Sequence, residues 1–541
     1  MIEAASSPPS VEVEQKPAIK RVARKQIRAW VLPSFWRLTL ILALQTIVSL
    51  AALRNTAFQD EALYLFAGRQ IINGWLGLPH FPVEWASFLS GYAYFYPVIG
   101  GALDMMGGLE LARMFSLLCM LGVTASAYYV TTRVFDRNSA ILAAALFASQ
   151  GPVLFLGRLA TYDALCLLLV ALAVVLAVHV STARAPWAIV FIGPLLVLAI
   201  LAKFAGLLFV PVPLAILAWR SLERRGWRSM FVRLGMALCS LIIVGAVAYI
   251  TLDKAALHAI SGSTTSRDVT VKTAPLYLIQ FILSLSGAAF ALGVLGVALG
   301  SWRRLPMKLL LFGASLLVPA YHIYAGELIS LHKHLAFSMF FVTPLAGYAA
   351  ARLSGFRDRP PTPIPAKSTQ SLTQADVAHR PGGRRNLSVG RYWLAGLAIC
   401  LITFSLGVQQ AQTLYGAWAQ SNELIYAMRT QVRQGGGRYL AEDFDVCRYY
   451  LQNETALWQW SSLDYFEYTD KGHRYLVGKE AYRAAIQEGY FGLVELSYGY
   501  DAPMAVFISQ QLTASKQYEL ITKIPNSNTY GTGYFWIWRK L

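Results

Sequence analysis

The 541-residue sequence is poor in charged residues and in cysteine. Only 14% of its residues are charged, whereas 56% are hydrophobic, which leaves too little polar surface for a series of water-soluble domains. Four of the five cysteines lie inside apolar runs, so no disulfide framework can be read from their spacing. These shortages exclude a disulfide-stabilised secreted protein and a zinc ribbon.

Several common catalytic motifs are also missing. The sequence has no Gly-x-Ser-x-Gly and no His-Glu-x-x-His. Its Gly435-Gly436-Gly437 run does not open a helix after a strand, so it is not a phosphate-binding loop. Any catalytic residues must therefore be found from their position in the fold.

Long apolar runs are abundant. About 20 predominantly apolar residues cross the hydrocarbon core of a bilayer as a helix. Eleven runs predict spans near 37–53, 111–131, 138–156, 164–182, 186–202, 204–219, 232–250, 276–300, 306–325, 335–351 and 393–410. Residues 92–109 form a further apolar stretch, but Tyr96, Pro97 and Asp104 predict a broken, partly embedded segment there. We therefore expect an α-helical integral membrane protein.

Positive charge is in excess, with 47 Lys+Arg against 29 Asp+Glu and a net charge of +18. The basic residues cluster in the N-terminal tail and in the loops 133–137, 220–233, 303–308 and 352–391, which share one face of an eleven-span protein. Since short basic loops stay in the cytoplasm, the pattern predicts a multi-pass protein of the plasma (inner) membrane with a cytoplasmic N-terminus. The charge thus reflects topology, and we expect no nucleic-acid partner.

Composition predicts five segments: a basic cytoplasmic tail (1–36), a transmembrane catalytic module (37–355), a disordered cytoplasmic linker (356–392), a last span (393–410) and an extracytoplasmic domain (411–541). The linker is rich in Pro, Ser and Arg. The last segment has short β-like runs (RYLVG, FGLVEL, AVFISQQL, YELITKI, YFWIWRK) around a helix-like KEAYRAAIQEGY, which indicates a small α/β domain.

Ionisable residues at the outer membrane edge are the candidate functional groups, because charges are costly in lipid and are usually retained there for a function. Asp60 and Glu61 follow the first span, and the apolar spacing after them predicts a helix lying in the membrane interface. An alternative is that these carboxylates only cap that helix.

Three further positions qualify, each with a structural alternative. Arg158, Tyr162 and Asp163 lie in one short outer turn, where a salt bridge could instead join two helix ends. Lys203 interrupts an apolar run and could hold a phosphate or extend to the interface. The fourth position is a late outer loop whose histidines could simply be solvated; it contains Glu327, His332, Lys333 and His334.

This layout resembles the polytopic glycosyltransferases of the GT-C class, specifically the protein O-mannosyltransferase and aminoarabinose-transferase group of glycosyltransferase family 39. The resemblance covers about residues 30–350 and is carried by five motifs: Asp60-Glu61, Ala112-Arg113, Arg158 with Thr161-Tyr162-Asp163, Leu201-Ala202-Lys203, and the 332–350 stretch. Family members often have paired prolines before the second long span, whereas HFPVEWASFLSGYAYFYPV has single prolines only.

The resemblance implies a GT-C fold and inverting transfer of a hexose or pentose from a polyprenyl-phosphate carrier, presented from the bilayer, to a hydroxyl of a protein, lipid or glycan acceptor. Asp60 would be the general base, and Glu61 would orient the base or the acceptor. Lys203 would be the first candidate to stabilise the leaving phosphate, with Arg158 the second and Lys333 the third.

The remaining expectations concern substrate contacts, metal and an alternative function. Asp163, Tyr162 and His332 would contribute to substrate binding. No metal is required, although Asp60 and Asp163 could share a divalent cation. A transporter or flippase for a lipid-linked sugar is the alternative function.

Overall fold

The computed structural model describes residues 36–81, 85–183, 186–258, 272–356, 389–432, 437–499 and 501–541. Almost all of the basic tail and most of the linker 356–392 lie outside the described residues. The predicted domain boundaries therefore stay predictions.

Helices dominate the chain before residue 432. They are α1 (Trp36–Ala52), α2 (Gln59–Trp75), α3 (Tyr96–Val134), α4 (Arg137–Ala148), α5 (Gly151–Leu156), α6 (Tyr162–Val180), α7 (Ile192–Ala202), α8 (Pro211–Arg225), α9 (Trp227–Thr251), α10 (Pro275–Ala298), α11 (Leu305–Ala325), α12 (Leu331–Leu353), α13 (Val389–Tyr415) and α14 (Asn422–Gln431).

Each predicted span corresponds to a helical segment. Within the described ranges, eight helical stretches are long and apolar enough to cross a membrane. Three shorter apolar helices, Trp36–Ala52, Arg137–Ala148 and Trp187–Ala202, account for the other predicted spans. The predicted helical membrane architecture is confirmed.

The expected interruption within 92–109 lies at Gly107 and Gly108. Both glycines leave the helical region, and Gly108 has φ +68°, a conformation that a Cβ atom disfavours. Tyr96 and Pro97 begin α3 rather than break it, because a proline in the first turn of a helix loses no intrahelical hydrogen bond.

Helix α12 lies at the centre of the bundle. Its apolar stretch is 94% buried, whereas that of α9 is only 17% buried. It packs against α4, α10 and α11. The charged residues in the first turn of α12 are thus held by the most enclosed helix of the membrane part.

Helix α2 confirms the helix expected after the first span. Phe66, Ala67 and Ile71 of its predicted apolar face are buried, while Trp75 remains 62% exposed. The helix also packs closely on α3, because a Cβ atom added to Gly68 would collide with the carbonyl oxygen of Pro97. This contact fixes the position of the helix that carries Asp60.

The C-terminal segment forms the expected small α/β domain. Its elements are β1 (Tyr439–Ala441), α15 (Phe444–Tyr450), β2 (Trp460–Ser461), β3 (Glu467–Thr469), β4 (Tyr475–Val477), α16 (Lys479–Gln487), β5 (Leu493–Leu496), α17 (Ala502–Ser515), β6 (Tyr518–Asn528) and β7 (Gly531–Lys540). The main sheet has the order β2-β1-β5-β7-β6. In it β1 runs parallel to β2 and β5, and β7 runs antiparallel to β5 and β6. Strands β3 and β4 form a separate antiparallel pair.

One local prediction in this domain is wrong. The run AVFISQQL, expected to be a strand, lies within helix α17. The side chain of Asp501 caps that helix by accepting a hydrogen bond from the backbone N–H of Met504 at 3.2 Å. Ala505, Ile508 and Leu512 are buried, and their spacing of three and four residues is that of one helix face.

The domain is docked on the first outer loop through α15, which packs against α2. The Tyr449 hydroxyl donates a hydrogen bond to Asp104 Oδ1 at 2.6 Å, and Asp104 forms an ion pair with Arg69 of α2 at 2.5 Å. The Tyr450 hydroxyl accepts a hydrogen bond from the backbone N–H of Ala57 at 2.8 Å. The domain therefore contacts the segment that leads directly to Asp60.

Candidate active site

Two consecutive carboxylates in the first turn of α2 point in different directions. The Asp60 side chain is 29% exposed, whereas that of Glu61 is fully buried. Neighbouring residues on an α-helix are about 100° apart around its axis, so only one of the two can face a given cavity. Asp60 is the one that remains accessible.

The buried Glu61 holds the first outer loop together. Its two oxygens accept hydrogen bonds from Arg113 Nε at 2.8 Å and Nη2 at 2.7 Å. They also accept from the backbone N–H groups of Phe58 at 2.8 Å and Ala160 at 2.7 Å. Four donors occupy the carboxylate, so its role here is to position the start of α2 against α3 and the 157–163 turn.

Asp60 forms an ion pair with Lys333, which lies in the first turn of α12. The Lys333 side chain is only 3% exposed. Its ammonium group also lies 5.7 Å from the centre of the Phe58 ring. The late outer loop and the first outer loop, which are far apart in the sequence, are thereby joined at one carboxylate.

A second ion pair joins Asp163 and Lys203. Lys203 Nζ lies 2.5 Å from Asp163 Oδ1, and both side chains are buried. Asp163 is in the first turn of α6, where the helix dipole favours a negative charge, and Lys203 directly follows α7. His334 Nε2 is 3.7 Å from the same carboxylate oxygen.

The two ion pairs form one cluster. Lys333 interacts electrostatically with both Asp60 and Asp163. It also directly precedes His334, whose Nε2 lies 3.7 Å from Asp163 Oδ1. Asp60, Asp163, Lys203 and Lys333 therefore gather at the end of the bundle that carries the C-terminal domain. We call these four residues the charge cluster.

Tyr162 lies at the edge of the charge cluster. Its hydroxyl accepts a hydrogen bond from the Tyr64 hydroxyl at 2.6 Å and is 2.7 Å from Ser90 Oγ. Burial raises the pKa of Tyr64 well above its usual value, so this phenol stays a donor at neutral pH. Lys203 Nζ lies 5.0 Å from the centre of the Tyr162 ring, which adds a cation–π contact.

Arg158 belongs to a neighbouring network rather than to the charge cluster. Its Nη2 donates to Glu110 Oε2 at 2.7 Å, and Glu110 also lies 3.4 Å from Arg113 Nη1. The Arg158 side chain is 3% exposed. It thus joins the ends of two helices, the structural alternative considered for this residue.

The histidines of the late loop have different surroundings. The His332 ring packs edge-on against Phe155, with the ring centres 5.3 Å apart. His334 instead faces the charge cluster, and its Nδ1 is 2.8 Å from His322 Nε2. His322 Nδ1 in turn lies 2.6 Å from the backbone oxygen of Glu327. The sequence placed His334 in the late outer loop but favoured His332 for substrate binding, because the ring that faces the site depends on where α12 begins; nothing in the sequence singled out His322.

A cavity of about 240 Å³ adjoins the charge cluster. Lys203, His322 and His334 line it together with Glu327, Ser90 and Ser330, and the larger part of its surface is apolar. Tyr321 and Ile329, which also line it, are 44% and 56% exposed. The cavity therefore connects a buried cation with an apolar outer surface of the bundle.

The two carboxylates that the sequence suggests could share a divalent cation, Asp60 and Asp163, are each paired with a lysine through one oxygen. Among the described residues, no group of three or more His, Cys, Asp or Glu side chains is arranged to hold a metal ion.

Comparisons with known proteins agree with this architecture. A sequence model of the family described as dolichyl-phosphate-mannose-protein mannosyltransferase matches residues 100–250. No curated protein matches the chain by sequence.

Two groups of solved structures share the fold. ArnT from Cupriavidus metallidurans bound to undecaprenyl phosphate is 12% identical with a TM-score of 0.57, covering 93% of this chain and 98% of that one. The archaeal oligosaccharyltransferase AglB from Archaeoglobus fulgidus, in complex with an inhibitory peptide and a dolichol-phosphate, is 14% identical with a TM-score of 0.54, covering 93% and 74%. The chain has the GT-C fold, as the resemblance of its motifs predicts.

Proposed function

We propose that this protein is a glycosyltransferase that moves a sugar from a polyprenyl-phosphate carrier to an acceptor hydroxyl at the outer face of the membrane, with inversion at the anomeric carbon. The observation that carries the proposal is the convergence of the Asp60–Lys333 and Asp163–Lys203 ion pairs beside a cavity with an apolar entrance. The family match over residues 100–250 and the fold shared with ArnT and AglB support it.

The cavity beside Lys203 has the character required for the carrier phosphate. Lys203 and His334 are hydrogen-bonding groups in a site with little water, where such groups act on an anion more strongly than in bulk solvent. The apolar wall, which includes Phe204 and Leu208, suits the first isoprenoid units. The carrier would enter sideways from the bilayer.

Asp60 is the group placed to act as general base. The acceptor hydroxyl would donate its proton to Asp60 while its oxygen attacks the anomeric carbon. The bond between that carbon and the phosphate oxygen breaks, and its electron pair stays on the phosphate. Lys203 and Lys333 stabilise the charge that develops there. One displacement of this kind inverts the anomeric configuration.

Glu61 would contribute as a positioning residue. It is fully buried and its oxygens are occupied by four donors, so it orients the first turn of α2 without touching substrate. Asp163 similarly holds Lys203. His332 lies against Phe155, and Arg158 against Glu110, so both would support the site from outside the charge cluster.

The Asp60→Asn variant tests the proposed base. The protein is reconstituted with membranes from a strain that lacks it, as the acceptor source, and with polyprenyl-phosphate hexoses and pentoses carrying a radiolabelled sugar. Loss of a general base typically lowers the rate by about 10²- to 10⁴-fold. We expect a loss of that size with retained binding of polyprenyl phosphate.

Asp253→Asn is the matched control, because Asp253 is an exposed aspartate outside the charge cluster. Its transfer rate should equal that of the unmodified protein. Transfer by Asp60→Asn at a near-normal rate would remove Asp60 as the base. Failure of the unmodified protein to transfer sugar from any of these carriers would refute the proposed activity itself.

A further inference from the structure

A second large cavity lies between the first outer loop and the C-terminal domain. It encloses about 860 Å³, within the size range of small-molecule and cofactor pockets. A neighbouring cavity of about 480 Å³ shares Phe81, Leu457 and Trp458 with it, so the two form one extended cleft. We call it the domain cleft.

The walls of the domain cleft are rich in aromatic side chains that remain accessible. Phe88 is 59% exposed, Trp458 42% and Tyr465 63%. The Trp458 ring is held in place by Arg438, whose guanidinium carbon lies 4.3 Å from the ring centre. Rigid aromatic surfaces that stay uncovered in this way suit a ligand that can stack on them.

Polar groups alternate with these rings. Asp464 and Glu467 lie on the domain side of the cleft, and Arg448 forms an ion pair with Asp445 at 2.5 Å. Arg448 is 5% exposed, and its buried Nε has no hydrogen-bond partner among the described residues. The cleft therefore offers hydrogen-bond acceptors between stacking surfaces, with one guanidinium group in its wall.

This combination matches the chemistry of a saccharide. One face of a sugar ring presents C–H groups that carry partial positive charge, which the negative face of an aromatic ring attracts. The hydroxyl groups at the edge of the sugar donate to carboxylates and accept from guanidinium groups. A cleft with both kinds of group along its length can hold several sugar units in a row.

The other acceptor classes fit the domain cleft less well. An extended peptide can bind by adding a strand to a sheet edge. The edge strands that line the cleft are short, however: β2 has two residues, Trp460–Ser461, and β3 has three, Glu467–Thr469. Asp464 and Glu467 would repel an anionic lipid headgroup.

The domain cleft borders the helix that carries the proposed base. Leu63, one helical turn beyond Asp60 on α2, lines it. Asp445 forms a hydrogen bond with the side chain of Gln59, the residue before Asp60. A saccharide lying in the cleft could therefore present a hydroxyl close to Asp60, while the donor phosphate binds at Lys203.

We infer that the domain cleft binds a glycan and that the acceptor of the proposed transferase is a hydroxyl of that glycan. The inference rests on the proposed function for its catalytic part. It assigns to the C-terminal domain the recognition of the sugar chain that is to be extended.

Binding to a printed array of glycans, measured with the full-length protein in nanodiscs, tests the inference. We expect binding to a defined set of glycans, weakened about tenfold or more by Trp458→Ala and by Tyr465→Ala. Trp458→Phe should retain most of the affinity, because the aromatic face remains. The matched control is Trp302→Ala, a tryptophan that is 83% exposed and does not line the cleft, and its binding should be unchanged.

Binding of undecaprenyl phosphate to the same proteins separates this inference from the proposed activity. Trp458→Ala should bind the carrier normally, whereas Lys203→Met should lose carrier binding and keep glycan binding. No glycan retained on the array, or glycan binding unchanged in both cleft variants, would overturn the inference. So would Trp458-dependent binding of a serine- and threonine-containing peptide in place of glycans.

Discussion

Neutralising Lys203 should separate its structural contribution from its contribution to donor binding. Lys203 and Asp163 form a buried ion pair at 2.5 Å, and the lysine also contacts the Tyr162 ring. Removing one partner of a buried pair leaves an uncompensated charge and typically costs about 3–5 kcal/mol of stability. Lys203→Met and Asp163→Asn should each destabilise the protein by an amount of that order.

The double variant Lys203→Met/Asp163→Asn removes both charges together. Replacing a whole buried pair by neutral groups is often close to neutral for stability. We therefore expect the double variant to recover most of the stability that each single variant loses. Hydrogen bonds to a charged group contribute about 1.5–3 kcal/mol, so its affinity for polyprenyl phosphate should stay about 10- to 150-fold below normal.

Two measurements on the same nanodisc preparations distinguish the structural contribution of Lys203 from its contribution to donor binding. They are thermal unfolding, followed by tryptophan fluorescence, and binding of undecaprenyl phosphate. Lys254→Met, which removes an exposed lysine, is the matched control and should change neither. If the double variant recovered both stability and carrier affinity, Lys203 would be only a structural partner of Asp163. If it recovered neither, the effect would lie in packing rather than charge.

Three further predictions concern positions outside the charge cluster. Glu61→Gln should destabilise the protein by about 3–5 kcal/mol and lower transfer, whereas Glu519→Gln, in an ion pair with Arg539 in which both side chains are exposed, should cost about 1 kcal/mol or less in the same unfolding assay. Burial and the neighbouring acidic groups raise the pKa of Asp443 to about 6, so folding favours its neutral form. Its stabilising effect should be complete below about pH 4 and lost as the pH rises through about 6, and Asp443→Asn should flatten that part of the melting-temperature profile. Gly68→Ala should cost about 1–3 kcal/mol and reduce transfer, because the added methyl group displaces α2 from Pro97.

The membrane helices could be predicted because their signal is local. Each predicted run is helical, since a long apolar stretch has few alternatives in a bilayer. The run 138–156 is divided into two short helices, α4 and α5. The prediction of a strand at AVFISQQL was wrong because the local signal there is ambiguous. A short apolar run does not distinguish a strand from a buried helix segment, and the cap at Asp501 decided between them.

The site was only partly predictable because side-chain direction depends on helix phase. The sequence identified Asp60, Asp163, Lys203 and Lys333, but not their pairing, which joins residues from four different segments. In the 332–334 run, two residues that are two positions apart lie about 200° apart around a helix. The ring facing the charge cluster is therefore that of His334, and His332 turns towards Phe155.

In the proposed mechanism, the pairing within the charge cluster would let the protein keep two cations available for a phosphate. An unpaired lysine buried in the membrane part of the protein would be costly. Lys203 and Lys333 are each balanced by a carboxylate. A donor phosphate bound beside Lys203 that drew Lys333 towards itself would leave Asp60 without its counter-ion and able to accept the hydrogen bond of an acceptor hydroxyl. The ion pair that stabilises the protein without substrate would thus make Asp60 available as a base only when the donor is bound. Asp60 would then take the proton of the acceptor hydroxyl only when a sugar can be transferred.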